Sequence, residues 1–440
     1  MGWAWYETFA LMIGAVLFLM GLGMPVAFAF FAVNVLGVWL FMGGLRGVDQ
    51  FVTNATASIT NFSLVPVALF LLMGELFFNT GLARRVFDAL DKMLGGIRGR
   101  LSYLTVGGGT LFATLSGSSL ANTAMLGASL TPDMMKRGYK KHMIIGPIIA
   151  TGGLAMIIPP STLAVLLGSL GRIDVGALLI AGLIPGLILA LFYLITIRIQ
   201  IARDPEAAPG YAATRAPMGE IARALLLDVA PMGLVVFCVV GLILLGWATP
   251  TESAAFGAAS VVLLAIVKRA LTWEAIIRSF RGTILVSTMM LMIILGSTTF
   301  SQILAFSGAS GGMIRWATGM DLNPYLVLLS MFVVLVVLGM FMDQLSIMML
   351  TLPIFIPLVI AFEFNPVWFG VIMLLALEMS LVTPPFGLLL YVMVGVGPPG
   401  TKIGEVVRAA APYLLCSLIL VLLLVLFPQI ALWLPERMLN

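Results

Sequence analysis

Charged residues are scarce in this sequence. They make up 10% of the 440 residues, whereas soluble domains carry roughly 25%. The mean hydropathy is +1.14, and 61% of the residues are apolar. Such a chain cannot cover a soluble fold of this size with polar side chains. We therefore predict an integral membrane protein that is embedded in a lipid bilayer and has little soluble mass.

Cysteine and histidine are nearly absent. The two cysteines, Cys238 and Cys416, lie in different apolar runs, so neither a disulfide framework nor a cysteine metal site is predicted. One histidine, His142, is too few for a histidine-based metal centre. The nucleotide-binding motif G-x-x-x-x-G-K-[ST] is missing, so ATP use is not indicated. The net charge of +4 comes from loop residues and does not indicate a nucleic acid partner.

Long apolar runs dominate what is present. Each is near the roughly 20 residues that a membrane-spanning helix requires, and we predict ten crossings and two re-entrant hairpins. The crossings are expected at approximately 8–22, 25–43, 64–80, 143–170, 176–197, 225–246, 250–267, 283–304, 366–394 and 410–430. Those at 143–170 and 366–394 are predicted to be broken, and the hairpins to cover about 101–134 and 324–361. Two amphipathic segments, Gly47–Ser63 and Ala270–Arg281, are predicted to lie along the interface.

The distribution of basic residues predicts the orientation, because lysine and arginine accumulate in cytoplasmic loops. With the N-terminus outside, 19 of the 23 basic residues lie on the cytoplasmic side. The four on the other side are Arg46, Arg172, Arg315 and Arg437. This count predicts that the N- and C-termini are both periplasmic.

The pattern of the first half recurs in the second half at one constant difference in numbering, which we call the repeat offset. The offset that leads from Pro25 to Pro250 also leads from Pro132 to Pro357, and from the pair Pro159-Pro160 to Pro384-Pro385. We therefore predict two repeats, at 1–213 and 214–440. Each contributes five crossings, which is an odd number, so the second repeat is expected to be inserted upside down. Inverted repeats with broken helices are typical of alternating-access transporters.

Seven motifs are distributed over residues 20–390. They are Leu22-Gly-Met-Pro-Val-Ala-Phe, Leu72-Met-Gly-Glu-Leu-Phe, Thr80-Gly-Leu-Ala, Ser116-Gly-Ser-Ser-Leu-Ala-Asn, Ile158-Pro-Pro-Ser, Trp247-Ala-Thr-Pro-Thr-Glu-Ser and Val382-Thr-Pro-Pro-Phe-Gly. In combination they resemble the large membrane subunit of the tripartite ATP-independent periplasmic (TRAP) transporters.

The resemblance implies an all-α membrane protein with an inverted-repeat, elevator-type architecture. Hairpins and broken helices would form the transport domain, and the remaining helices the scaffold. It implies sodium-coupled import of an organic acid across the bacterial inner membrane, with Na+ as the coupling ion and no enzymatic activity. It also implies two partners, a small four-helix membrane subunit and a periplasmic solute-binding protein.

Polar residues at the hairpin tips and helix breaks are candidate sodium ligands, since exposed oxygens at broken helix ends bind such ions. A first site would combine Ser116, Ser119 and Asn122 with backbone groups of Gly153 and Ile158. A second would combine Gly339, Asp343, Ser346 and Thr383. The alternative explanations are close helix packing by small residues and plain proline kinks.

The same regions supply candidate substrate ligands, namely Ser118, Thr123, Ser161, Asp343, Gln344 and Phe386. Helix N-termini after the Pro-Pro pairs would direct positive dipole ends at a carboxylate. Asp343 is the strongest single candidate, because a charge inside the membrane costs roughly 2.5–3.5 kcal/mol on insertion scales. Asp343 would contact either the ion or the substrate. Alternatively, it would form a structural ion pair with a basic side chain.

Two other functions fit parts of the sequence. A stand-alone sodium/carboxylate symporter of related fold would work without a binding protein. An intramembrane serine protease would use Ser116 or Ser118 as nucleophile and His142 as base. That chemistry requires the histidine within hydrogen-bond reach of the serine, and His142 follows a basic loop beyond the hairpin.

Overall fold

The computed structural model describes residues 3–93, 97–210, 217–320 and 322–438, without the side chains of residues 45, 46, 55, 59, 115 and 116. All regular elements within these ranges are helical. Seven helical segments in the described chain are long and apolar enough to cross a membrane. The all-helical membrane class that composition predicts is therefore confirmed, and the number of crossings stays a prediction.

The first half of the chain consists of short and medium-length helices. They are α1 (Trp5–Gly21), α2 (Val26–Phe41), α3 (Leu45–Ile59), α4 (Val65–Asn79), α5 (Leu82–Met93), α6 (Arg100–Ser116), α7 (Ser119–Lys136), α8 (Lys141–Leu154), α9 (Thr162–Gly171), α10 (Val175–Ala181) and α11 (Leu183–Arg203).

The second half begins with one long helical segment that contains two π-helical turns, Leu225–Val229 and Phe237–Gly241. Its α-helical parts are α12 (Met218–Ala224), α13 (Ala230–Val236) and α14 (Leu242–Leu244). The helices that follow are α15 (Pro250–Val267), α16 (Trp273–Phe306), α17 (Ala309–Gly319), α18 (Pro324–Gly339), α19 (Gln344–Ala361), α20 (Pro366–Val382), α21 (Leu388–Val396), α22 (Ile403–Leu426) and α23 (Gln429–Met438).

Helix boundaries in the two halves follow the repeat offset seen in the sequence. Helix α19 begins and ends at the positions that this offset assigns to α7, at 344 against 119 and at 361 against 136. Helix α20 likewise begins at the position that corresponds to the start of α8, at 366 against 141. The offset therefore holds for helix ends as well as for prolines, while the opposite insertion of the halves stays a prediction.

One corresponding pair of segments differs between the halves. In the first half, α3 and α4 are separated, because Asn61 caps a short 3₁₀ turn and Pro66 follows at the start of α4. In the second half, α16 runs for 34 residues without interruption. The repeat offset places Leu291 opposite Pro66, and leucine continues a helix. Ala270–Arg281 is therefore not a separate segment, because its residues from Trp273 onward form the first part of α16. Its position along the interface stays a prediction.

Two short helices were not predicted from the sequence. Helix α5 follows Gly81, whose φ is +70°, and α17 follows Gly308, whose φ is +76°. Glycine adopts this left-handed conformation at little cost, so both turns can start a new helix directly after the preceding one. The two glycines belong to the Thr80-Gly81 and Ser307-Gly308 pairs that correspond in the two halves.

The helices pack as two groups. Helix α4 packs against α15 and α16, and α16 also packs against α2 and α3. In the other group, α8 packs against α6, α7 and α22, and α20 packs against α18 and α22. The second group contains both predicted hairpins and both broken helices, so it holds the candidate site. The hairpin helices α6 and α19 connect it to the first group through contacts with α4 and α16.

Candidate functional site

The tip of the first hairpin is a tight turn between α6 and α7. Gly117 ends α6 in the left-handed conformation, with a φ of +57°. Ser118 caps α7, and its side chain accepts a hydrogen bond from the Ala121 N–H at 3.4 Å. The Gly117 carbonyl accepts a hydrogen bond of 2.7 Å from the Thr162 hydroxyl. The tip is therefore attached to the first residue of α9.

Three buried side-chain oxygens lie one turn beyond this tip. Ser119, Asn122 and Thr123 occupy positions i, i+3 and i+4, which share one face of a helix. Ser119 is 4% exposed and the other two are fully buried. Within the described residues, Ser119 Oγ, Asn122 Oδ1 and Thr123 Oγ1 have no hydrogen-bond partner. Buried polar atoms are nearly always paired. This face is therefore suited to a ligand, such as a cation, that is coordinated by oxygen atoms.

The C-terminal end of α8 faces these oxygens. Asn122 Nδ2 donates to the Thr151 carbonyl at 3.2 Å. A Cβ atom on Gly152 would overlap Thr123 Oγ1, and one on Gly153 would overlap the carboxyl group of Glu378. Both positions therefore require glycine, and α8 approaches α7 closely. Thr123, which the sequence analysis predicted as a substrate ligand, follows the predicted ion ligand Asn122 on α7 and contacts α8 at Gly152.

The break between α8 and α9 is enclosed by protein. Ile158, Pro159, Pro160 and Ser161 are all buried. Ser161 caps α9, since its hydroxyl oxygen accepts from the Ala164 N–H at 3.2 Å. The buried N-terminus of α9 is the positive end of the helix dipole. Ser161 precedes Thr162 in the chain, and the Gly117 carbonyl accepts the hydrogen bond from the Thr162 hydroxyl.

The second hairpin carries its carboxylate at the start of α19. Asp343 caps this helix and accepts hydrogen bonds from the Ser346 N–H at 3.1 Å and from the Ser346 hydroxyl. Asp343 is half-buried and Ser346 is fully buried. No ion pair to Asp343 is formed within the described residues. The helix N-terminus is thus its protein partner in this structure.

The second helix break lies at the end of α20 and is more exposed. Thr383 is half-buried, and its hydroxyl donates to the Met379 carbonyl at 2.7 Å. Pro384, Pro385 and Phe386 are exposed, Phe386 by 54%. The Phe386 ring lies 6.0 Å from the ring of Phe341 at the hairpin tip.

Two further contacts connect the second hairpin to its surroundings. A Cβ atom on Gly339 would overlap Ser380 of α20, so the end of α18 lies directly on that helix. Gln344 Nε2 donates to Met156 Sδ at 3.2 Å. Gln344 therefore joins the second hairpin to the first break, whereas Phe386 contacts Phe341 of its own half.

Thr162 and Glu378 have contacts that the sequence did not predict. The Tyr193 hydroxyl donates to Glu378 Oε1 at 3.2 Å, and Glu378 Oε2 has no hydrogen-bond partner among the described residues. The repeat offset places Glu378 opposite Gly153, and this correspondence was a usable signal. For Thr162 the signal was its place directly after Ser161. The side chain of the predicted ligand Ser116 lies outside the described residues.

Interrupted helices enclosed in an all-helical membrane protein, with unpaired oxygens at their ends, define a membrane transport protein. The chain belongs to the family "Tripartite ATP-independent periplasmic transporter, DctM component", whose family model matches residues 13–430. The resemblance found in the sequence is thereby confirmed. Large permeases of this family work with a small membrane subunit and a periplasmic binding protein. The chain is a transport component and not an enzyme, so the serine protease alternative is rejected.

Three curated relatives match most of the chain. The C4-dicarboxylate TRAP transporter large permease of Pseudomonas aeruginosa is 31% identical over 378 residues, which cover 86% of this chain and 87% of the relative. The ectoine TRAP transporter large permease of Halomonas elongata is 28% identical, and the match covers 97% of this chain and 98% of the relative. The sialic acid TRAP transporter large permease of Vibrio cholerae is 28% identical, and the match covers 98% of this chain and 99% of the relative.

Two solved structures share the fold. The YdaH transporter of Alcanivorax borkumensis superposes with a TM-score of 0.62 at 16% identity, covering 88% of this chain and 90% of that one. MtrF of Neisseria gonorrhoeae superposes with a TM-score of 0.60 at 15% identity, covering 88% and 85%. These similarities concern the fold alone.

Proposed function

We propose that this chain is the large membrane subunit of a sodium-coupled importer of an organic acid. It would lie in the bacterial inner membrane with both termini in the periplasm. A periplasmic solute-binding protein would deliver the substrate, and a small four-helix membrane subunit would complete the transporter. The hairpins and broken helices would move together past the remaining helices.

The unpaired oxygens of Ser119, Asn122 and Thr123 carry the proposal of sodium coupling. They are neutral and lie beside the end of α8, where the carbonyls of Gly152 and Gly153 accept only the short-range hydrogen bonds of a turn. Neutral oxygens at a broken helix are a typical environment for a coupling sodium ion. Ser116, Gly153 and Ile158 would complete this site. Gly339, Asp343, Ser346 and Thr383 would form a second site at the other hairpin.

An organic acid suits the positive helix ends around these sites. Ser118 caps α7, Ser161 caps α9 and Asp343 caps α19, so three helix N-termini and their N–H groups lie at the tips and breaks. The relatives are named for C4-dicarboxylate, ectoine and sialic acid, all of which carry a carboxylate. Gln344, Thr123 and Phe386 would supply neutral contacts to the rest of the substrate.

The packing of the helices supports relative movement of two bodies. The hairpin helices α7 and α18 pack against α8 and α20, whereas α6 and α19 contact the other group through α4 and α16. An elevator mechanism requires such a division, because the binding site must move as a unit against a fixed part.

Uptake into proteoliposomes tests this function. The chain is reconstituted with its small subunit and its binding protein, and the substrate is chosen by a thermal-shift screen of that binding protein with succinate, sialic acid and ectoine. An inward sodium gradient should drive uptake, and replacement of sodium by potassium should reduce uptake to background. Full uptake in sodium-free buffer would reject sodium coupling. Equal uptake without the binding protein would identify a stand-alone symporter.

A further inference from the structure

A polar cavity of about 480 Å³ lies beside the hairpins. It is lined by α3 and the turn that follows it, by the C-terminal end of α9 and Arg172, by α16 and by α19. None of the described residues at the two hairpin tips lines it. Its volume falls within the roughly 300–1,000 Å³ that is usual for small-molecule sites. The cavity is thus large enough for a small organic acid and is separate from the sites described above.

Hydrogen bonds hold the polar wall of this cavity in place. Asn54 Nδ2 of α3 donates to Gln302 Oε1 of α16. The hydroxyl groups of Ser58 and Thr298 connect the same two helices at 2.8 Å. The wall therefore presents fixed amide and hydroxyl groups to a polar ligand.

Proline shapes the opposite wall, which is formed by α19. Pro353 has no N–H and leaves the carbonyl of Met349 without its helical donor. Ser297 of α16 supplies the missing donor through its hydroxyl at 2.6 Å. Pro357 has the same effect on the carbonyl of Pro353, which also lines the cavity. This wall can therefore accept hydrogen bonds from a ligand.

Arg172 is the one charged residue among the described residues that line the cavity. It follows α9 in the left-handed conformation, with a φ of +53°, and its side chain is exposed. No carboxylate forms an ion pair with it within the described chain. Arg172 is also one of only four basic residues on the predicted periplasmic side. A guanidinium with free donors is well suited to bind a carboxylate in bidentate geometry.

A second cavity, of about 490 Å³, provides the comparison. It lies between α4 and α7, which the repeat offset relates to α16 and α19, and is also lined by Arg84. In this cavity Glu75 accompanies the arginine, so the two formal charges cancel. The cavity with Arg172 is therefore distinguished by a net positive charge and not by its size.

We propose that the Arg172 cavity is an anion-binding vestibule on the periplasmic face. An organic acid would bind there through its carboxylate to Arg172 before it reaches the hairpin tips. The direction of passage rests on the proposed function, whereas the attraction of anions rests on the cavity alone.

Uptake kinetics provide the first test, in the complete complex with its binding protein. Arg172→Gln should raise the KM for substrate-loaded binding protein roughly tenfold, because a charge-assisted hydrogen bond is lost, and should leave kcat within twofold. Arg172→Lys should recover part of the loss. The matched control is Arg315→Gln, since Arg315 of α17 is also exposed on the predicted periplasmic side but does not line the cavity. Equal KM values for the two glutamine variants would overturn the proposal.

Thiol reactivity provides a second test that needs neither transport nor binding protein. Cys238 and Cys416 are replaced by alanine, and Ser301→Cys introduces one thiol into the cavity. The modification rates are compared for methanethiosulfonates that carry a sulfonate or a trimethylammonium group. The sulfonate reagent should react faster, and Arg172→Gln should lower the ratio of the two rates about tenfold, because one unit charge acts with opposite sign on the two reagents. Arg315→Gln should leave the ratio unchanged.

The two tests separate the vestibule from the proposed function. Sodium-driven uptake, together with a ratio of modification rates that does not change in Arg172→Gln, would reject the vestibule and support the proposed transporter. A ratio that depends on Arg172 without sodium-driven uptake would support anion binding and reject the proposed function. A raised KM with an unchanged ratio would make Arg172 a contact for the binding protein and would reject the vestibule.

Discussion

The two helix breaks occupy corresponding places in the chain but differ in their surroundings. The first, from Ile158 to Ser161, is fully buried, while Pro384, Pro385 and Phe386 of the second are exposed. A hydrogen bond from Thr162 to Gly117 closes the first hairpin onto its break. The second hairpin has an exposed aromatic contact at the same place.

Glycines on a neighbouring helix account for part of this difference. A Cβ atom on Gly182 would overlap the Ile157 carbonyl, and one on Gly186 would overlap the Ile158 side chain. These glycines let α11 lie directly on the first break. Pro185 aligns with Pro412 after a shift of two residues from the repeat offset, and this alignment places Ala409 and Tyr413 of α22 at the positions that correspond to Gly182 and Gly186. Neither of these residues is a glycine, so the close approach that glycine permits at the first break is not available at these positions.

The comparison shows that two segments related by the repeat offset can have unequal surroundings, so the two candidate sites differ. The first site is a closed set of neutral oxygens, whereas the second combines a half-buried carboxylate with an open break. Four measurements test this contrast, in order of decreasing expected effect.

Truncation of one residue at each break should produce the largest difference. Ile158→Ala should lower the free energy of unfolding by about 2–5 kcal/mol, because a buried side chain leaves a cavity. Phe386→Ala should cost less than about 1 kcal/mol, since surface changes are usually small. Thermal unfolding of the detergent-purified complex measures both. Similar losses for the two variants would contradict the difference in burial.

Removal of one unpaired oxygen should weaken sodium binding. Ser119→Ala should raise the sodium concentration for half-maximal uptake roughly tenfold, within the range seen when support of a metal site is lost. Stability without sodium should not fall, because Ser119 Oγ forms no hydrogen bond in the described structure. Ser129→Ala, a change of the same type on the exposed side of α7, is the control and should behave as wild type. A normal sodium response in Ser119→Ala would remove Ser119 from the site.

Filling the contact between α11 and the first break should destabilise the closed site. Gly182→Ala should cost about 1–3 kcal/mol, the usual range for overpacking a buried contact. Gly233→Ala is the matched control, since no atom lies within 4 Å of its added Cβ. The control should be neutral or slightly stabilising, because alanine favours helix over glycine. Equal melting temperatures for the two variants would show that α11 does not enclose the break.

Neutralising Asp343 should reduce uptake with little effect on folding. Asparagine caps helices as well as aspartate does, so Asp343→Asn retains the cap of α19 and removes the charge. We expect uptake to fall several-fold and protein yield to stay normal. Asp174→Asn is the control, because Asp174 caps α10 by accepting from the Ala177 N–H at 2.6 Å. Uptake near the wild-type rate would exclude a functional charge at Asp343.

Local sequence signals predicted much of this fold because they act over a few residues. Gly117 marks the first hairpin turn and Asp343 the start of α19, as glycine and a capping aspartate commonly do. The sequence also predicted Ser119 and Asn122 as ligands from their polarity in an apolar run. The structure places both on one face of α7 with unpaired oxygens, and their role as ligands stays a prediction.

The remaining features depend on contacts between distant segments. The bond between Thr162 and Gly117 spans 45 residues, and the burial of Ile158 requires Gly186 of another helix. Neither contact is indicated by the local spacing of residues in the sequence. The continuity of α16 was missed for a different reason, since its polar first turns were interpreted as an interfacial segment although no proline separates them from the apolar part.

The uninterrupted α16 has a mechanical consequence. At 1.5 Å per residue its 34 residues extend about 50 Å, while the hydrocarbon layer is about 30 Å thick. A tilt of 40°, the upper end of the usual range, shortens its projection only to about 38 Å. One end of this rod must therefore stand in the headgroup region, where it fixes the depth of the protein. In the proposed elevator mechanism, bending of the scaffold would therefore occur at the joint between α3 and α4 and not within α16.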